Sequence, residues 1–282
     1  MIHRPAAGRK LEDRLLKVIS ACAALLGILA LAWILLVVIE KGATAINWDF
    51  FFHRTLPTGE AAGGVGNAIV GSALLVGLAI VIGVPLGMMA GVYLAEFGRD
   101  TQFGTAVRFS ANVMMGIPSI IVGLFVYALL VKPMHMYSGW AGAVALAILM
   151  LPIIARTTED MLQLVPNALR ESALALGAPR WKVTFQVVFR AARVGLLTGL
   201  LLAVARVSGE TAPLLFTCLN SPYWPTSLNG PVANLPVTIW DHAMSPYDDL
   251  VRIAWGASLL ITVGVLVLNI SSRLILRRSA HE

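Results

Sequence analysis

Charge is scarce in this chain of 282 residues. Asp, Glu, Lys and Arg together supply 13% of it, roughly half of what a soluble domain carries. With 58% hydrophobic residues and a mean hydropathy of +0.80, a water-soluble globular fold is excluded and the chain reads as built for lipid. Cysteine is limited to Cys22 and Cys218, with neither CxxC nor metal-like spacing, which excludes a disulfide framework. His3, His53, His135, His242 and His281 are scattered without ligand spacing, so no metal site is expected. No GxxxxGK[ST] phosphate-cradling loop occurs, and the chain is not expected to hydrolyse ATP or to act as an enzyme. The net charge of +6 is no nucleic-acid footprint, because where the charges fall matters more than their sum.

What is present is a series of apolar runs. About 20 such residues cross a bilayer. Val18–Ile39, Asn67–Ala95, Phe109–Val131, Tyr137–Ala155, Val194–Phe216 and Ile253–Ser272 qualify, which predicts an all-α membrane protein with six transmembrane helices. The first run is too long for the core of a cleaved signal and is read as a retained anchor. Lys and Arg concentrate in residues 1–17, 156–193 and the tail, while residues 207–251 contain none. That asymmetry puts both termini in the cytoplasm of a multi-pass protein of the inner membrane.

The expected organisation follows from these runs. Residues 1–17 form a basic tail or interfacial helix, 18–39 the first span and 40–66 an external loop, aromatic at Trp48, Phe50, Phe51 and Phe52. Residues 67–275 hold five more spans, with a cytoplasmic segment at 156–193 and a proline-rich external loop at 217–250; 276–282 form a short tail. Gly83, Gly87 and Gly91 make a stripe at four-residue spacing, which lets a second helix approach closely. "GIPSIIVGL", Gly116–Leu124, marks a broken helix. It is either a packing kink or backbone facing a cavity, with Ser119 as the polar group.

Arg206 and Glu210 stand inside the fifth run. A charge at the centre of a membrane helix costs roughly 2.5–3.5 kcal/mol on insertion scales, so intramembrane charges default to a functional reading. At four-residue spacing on one helix the two would lie about 6 Å apart and partly neutralise each other. Either they are structural glue, or Arg206 faces a translocation path and offers its forked donors to a tetrahedral oxyanion. Glu210 would then orient the arginine, pair elsewhere, or accept a bond from a protonated anion. Ser208 and Thr211 are neutral donor candidates. Arg156, Glu159 and Asp160, at the inner end of the fourth span, read as a charge cluster at the interface or as an inner gate.

Between the fourth and fifth spans, "ESALALG", Glu171–Gly177, predicts a short helix stopped by Gly177 and Pro179. This stretch resembles the EAA loop of ABC-importer permeases, with Ser172 in place of the first alanine. The family's downstream I-x-L-P pattern is replaced by Val187, Phe189 and Arg190. "GGVGNAIVGSALLV", "GIPSIIVGL", "LPIIARTTEDMLQLVP" and "ARVSGETAPLLF" extend the resemblance to the phosphate-specific permeases of PstA type, from about Gly63 to the C-terminus.

The resemblance implies a type I ABC importer permease fold and ATP-driven movement of inorganic phosphate by alternating access. The implied partners are a homologous second permease, two ATPase subunits that hold ATP and magnesium, and an external phosphate-binding protein. Glu171, Ser172, Ala173 and Gly177 occupy the positions that would couple to the ATPase. The competing readings are a permease for another oxyanion or small solute, a proton-coupled secondary transporter using Glu210, and a membrane scaffold.

Overall fold

A computed structural model describes residues 6–56 and 63–279, with side chains from 14 to 274. Residues 1–5 of the predicted tail, with His3 and Arg4, residues 57–62 of the first external loop, with Gly59, and residues 280–282, with His281, lie outside the described residues. Among the described residues every regular element is helical. Helix α1 is Ala6–Ala43, α2 Trp48–Phe52, α3 Gly66–Phe97, α4 Gln102–Gly116, α5 Ser119–Met134 and α6 Gly139–Gln163. Then come α7 Asn167–Ala175, α8 Arg180–Val207, α9 Ala212–Thr217, α10 Leu235–Ala243 and α11 Asp248–Ser279. One helix runs without interruption across residues 17 and 18, where the sequence had divided tail from span.

Five helices, α1, α3, α6, α8 and α11, are long and apolar enough to cross a membrane singly. The third expected span is different. It divides into α4 and α5, which meet at a bend of 103°. Pro118 explains the break: it has no N–H and forces its predecessor out of helical geometry. Ile117 accordingly ends α4 in an extended conformation, φ −72° and ψ 131°. The fifth expected span is also corrected, because α8 stops at Val207 and α9 starts afresh at Ala212. Pro213 cannot donate to the carbonyl of Gly209 and its ring would collide with it, so the helix cannot continue through this stretch. The apolar side chains of Leu214–Phe216 concealed that stop.

Helix α6 is the centre of the bundle. Two thirds of its apolar window is buried (67%), against 0% for α1. Helix α3 packs along α6 through the glycine stripe: Gly83 sits on Ala147, Gly87 on Ile154 and Gly91 on Thr158. A side chain at Gly87 or Gly91 would drive into these neighbours, so the close approach depends on its absence. Leu75, Ala79, Met150, Ile154, Ala203 and Val207 from α3, α6 and α8 form the shared core. Helix α11 flanks α8 and carries α1, which meets it through Gly42 against Trp255 and Leu259.

The segment 217–250 is folded, not a free loop. Val232, Ala233 and Asn234 are fully buried, and α10 lies on α11. Buried amides fix it to the start of α3: Asn67 accepts from the Thr55 amide at 3.1 Å and donates to the Ser221 carbonyl at 3.2 Å. Ser72 accepts from the Leu235 amide at 2.8 Å. Buried backbone polar groups need such partners, and here side chains of a membrane helix supply them.

Candidate functional site

The break between α4 and α5 opens a cavity of about 290 Å³. Met114, Ile117 and Ser119 border it from the broken pair, Leu149 and Ile153 from α6, and Arg206 from the last turn of α8. Arg206 is its only charged lining group. Among the described residues its guanidinium has no hydrogen bond or ion pair with the protein, and the side chain is exposed. Ser119 opens α5, where the first amides of a helix have no carbonyl partner within it. The N-terminal end of α5 and the guanidinium therefore border one cavity whose other walls are apolar.

The structure thus brings Arg206 and Ser119 together and separates the others from them. The expected intrahelical pair is overturned: Glu210 lies beyond the end of α8, in a turn where its amide bonds the Val207 carbonyl at 3.2 Å. It is half-buried and makes no ion pair with Arg206 among the described residues. Ser208 spends its hydroxyl proton on the Val204 carbonyl at 2.7 Å. Thr211 precedes α9 without a side-chain capping bond. None of these three borders the cavity.

The short helix α7 ends in a Schellman motif. The Gly177 amide bonds the Leu174 carbonyl at 2.9 Å and the Ala178 amide bonds the Ala173 carbonyl at 3.2 Å. Gly177 has φ +81°, the left-handed region where only glycine is unstrained. Glu171, Ser172 and Gly177 face outwards, whereas Ala173 packs inwards with Leu162, Val165 and Val183. Leu174 and Leu176 stand 43% and 89% exposed beside them, an apolar edge next to an acidic side chain.

Two charged clusters hold residues that the sequence reading did not connect, Arg108 with Glu159 and Arg170 with Glu96. Glu159 is 1% exposed, so the interfacial-cluster expectation fails for it. Its carboxylate accepts from Arg108 at 2.6 Å, from Gln163 at 3.0 Å and from Arg156 at 3.4 Å. Arg170, in α7, donates to Glu96 through Nε and Nη2 at 3.2 and 2.9 Å, and to the carbonyls of Leu162 and Val165. Arg156, Glu159 and Asp160 were visible as a group; Arg108, 51 residues from Glu159, carried no sequence signal. Among the described residues no cluster of His, Cys, Asp or Glu suits a metal.

The family described as binding-protein-dependent transport system inner membrane component matches residues 83–281. This chain belongs to that family. It is similar to the phosphate transport system permease protein PstA of Yersinia pestis, 48% identical over 99% of this chain and 95% of that protein. A probable phosphate transport system permease protein PstA from Methanocaldococcus jannaschii is 38% identical over 95% of each chain. Among solved structures, a chain of a bacterial alginate ABC transporter aligns over 98% of both chains with a TM-score of 0.66 at 16% identity. A chain of the inward-facing MetNI methionine ABC transporter aligns over 76% of this chain and 94% of that one, with a TM-score of 0.59. The permease fold is that of the type I ABC importers, and the chain is a multi-pass membrane protein.

Proposed function

We infer that this chain is the membrane-spanning permease subunit of an ATP-driven importer of inorganic phosphate. The near full-length likeness to permeases named for phosphate transport supports the substrate. The single structural observation that carries the mechanism is the unpaired Arg206 guanidinium in the cavity at the broken helix. Guanidinium suits a tetrahedral oxyanion because two parallel N–H···O bonds form at once. A volume of about 290 Å³ equals that of about ten waters, room for an oxyanion with part of its hydration shell. A single arginine, where several fixed cations would trap a divalent anion, leaves it free to dissociate, as conduction requires. Ser119 and the start of α5 add donors.

Energy comes from outside the chain. ATP and magnesium belong to two ATPase subunits, against which α7 docks with Glu171, Ser172 and Gly177 outermost and Ala173 as its anchor. A second, homologous permease completes the path, and an external binding protein captures phosphate. Both termini and α7 lie in the cytoplasm, as the placement of Lys and Arg supports. Glu210, which does not border this cavity, pairs with an arginine of the companion permease.

Arg206→Gln tests this. A charge-assisted bond contributes roughly 1.5–3 kcal/mol, so phosphate uptake falls about tenfold to a hundredfold while the complex still assembles. Arg206→Lys keeps the charge, loses the fork, and recovers only part of the loss. Normal uptake by Arg206→Gln would remove this residue from the path. Equal competition by sulfate and phosphate in the unmodified complex would assign the site to oxyanions in general.

A further inference from the structure

The last turn of α3, Tyr93–Phe97, is a π turn, and its geometry frees a carbonyl. The Gly98 amide reaches back five residues to Tyr93 at 2.7 Å, leaving the Leu94 carbonyl without the partner an α-helix would supply. Arg108 of α4 takes that oxygen at 2.9 Å through Nη2, while its Nε holds the buried Glu159 of α6. On the other side of the same turn, Glu96 receives both donors of Arg170 from α7. Two arginines, one from the short cytoplasmic helix and one from the broken helix, thus grip a single turn.

The side chains concerned are shielded: 16% exposed for Arg170, 13% for Glu96, 20% for Arg108 and 1% for Glu159. Water has little access to replace a broken bond, so these contacts transmit displacement where surface pairs would let it dissipate. Beyond Arg108, α4 leads directly to Met114, Ile117 and the cavity. Glu159 binds the same arginine to α6, which supplies the opposite wall at Leu149 and Ile153.

We propose that Glu96 and Arg108 are positioning residues of the transport cycle: through the π turn at 93–97 they carry the motion of α7 to the broken helix that borders the Arg206 cavity. This rests on the importer reading above. Neither residue touches the anion. Their role is to make the wall of the cavity follow the ATPase.

The test uses the whole complex in proteoliposomes and measures phosphate taken up per ATP hydrolysed. Glu96→Gln removes the charge held by Arg170; Arg108→Lys keeps a cation beside Glu159 but cannot fork to Leu94. Each lowers the ratio roughly twofold to thirtyfold, the range for coupling elements, while ATP hydrolysis and assembly persist. Because the links act in series, the double variant is no worse than its more affected parent. An unchanged ratio in both single variants, or losses that multiply in the double, would overturn the proposal. If Glu96→Gln does not assemble, Glu96→Asp, with its carboxylate one methylene short, gives the same reading. A transporting Arg206→Gln would sink the cavity assignment and leave the ratios at Glu96 and Arg108 standing.

Discussion

At Glu159 three donors converge on one carboxylate that solvent barely reaches. Such a group is worth little as an isolated attraction, since burying it is costly, but removing it strands its partners. Glu159→Ala therefore lowers stability by about 3–5 kcal/mol, read as a fall in the melting temperature of the purified complex. Its neighbour Asp160 is 45% exposed and also bonds Arg156, at 3.3 Å. Asp160→Ala changes stability by less than about 1 kcal/mol in the same assay, because exposed pairs are screened by solvent. Equal effects at the two positions would mean that burial does not govern this cluster. Sequence offered both acids in one phrase, "TTED", and no means of ranking them. Their difference lies in an arginine contributed by another helix.

Elements were legible where hydropathy alone decides them. Spans α1, α3, α6 and α11 follow from uninterrupted apolar runs, and the end of α7 from Gly177 before Pro179. The break at Pro118 was marked by "GIPSIIVGL", though its 103° bend was not, and the stop before α9 was missed altogether. A proline inside an apolar run is compatible with a kink, a pause or a full stop, and the packing of neighbours selects among them. Choosing a helix through Val194–Phe216 created an Arg206–Glu210 pair that does not exist. The segment 217–250 hid its order because its buried hydrophobes, such as Val232, Ala233 and Val237, are scattered among prolines, amides and hydroxyls and form no long apolar run. Within it α10 makes a pH-dependent element. Burial lowers the pKa of the His242 imidazole below its usual value, a shift that the Asp241 carboxylate opposes. Its Nδ1 has no partner among the described residues. The unfolded segment thus binds the proton more readily than the docked one. The stability this site contributes is present above the ordinary imidazole pKa of 6.5 and is lost as pH falls below it. Amide protection factors for residues 235–243 should drop between pH 7.5 and pH 5.5, and His242→Leu should flatten the change. Equal protection at both values would contradict the assignment.

For the molecule as a whole, the expected division of labour is that this chain shapes and moves the path while other subunits supply capture and energy. Proteoliposomes holding only this chain therefore accumulate no phosphate, with ATP inside or with an imposed pH gradient. Accumulation under the gradient alone would favour a proton-coupled carrier with Glu210 as its proton site. In the single chain α1 and the outer face of α7 are exposed, while α6 is enclosed by its own neighbours. The folding of the outer cover has a temporal side as well. Asn67 bonds a carbonyl 154 residues later and Ser72 an amide 163 residues later. At the pace of a ribosome, roughly 5–20 residues per second, the start of α3 waits about ten to thirty seconds for those partners to be made. Throughout that interval the Asn67 side-chain N–H lacks its later acceptor and the Ser72 oxygen its later donor, although Thr55 is already there to bond the Asn67 oxygen. Whatever shelters that span during insertion has to hold it until more than four fifths of the polypeptide has left the translating machine.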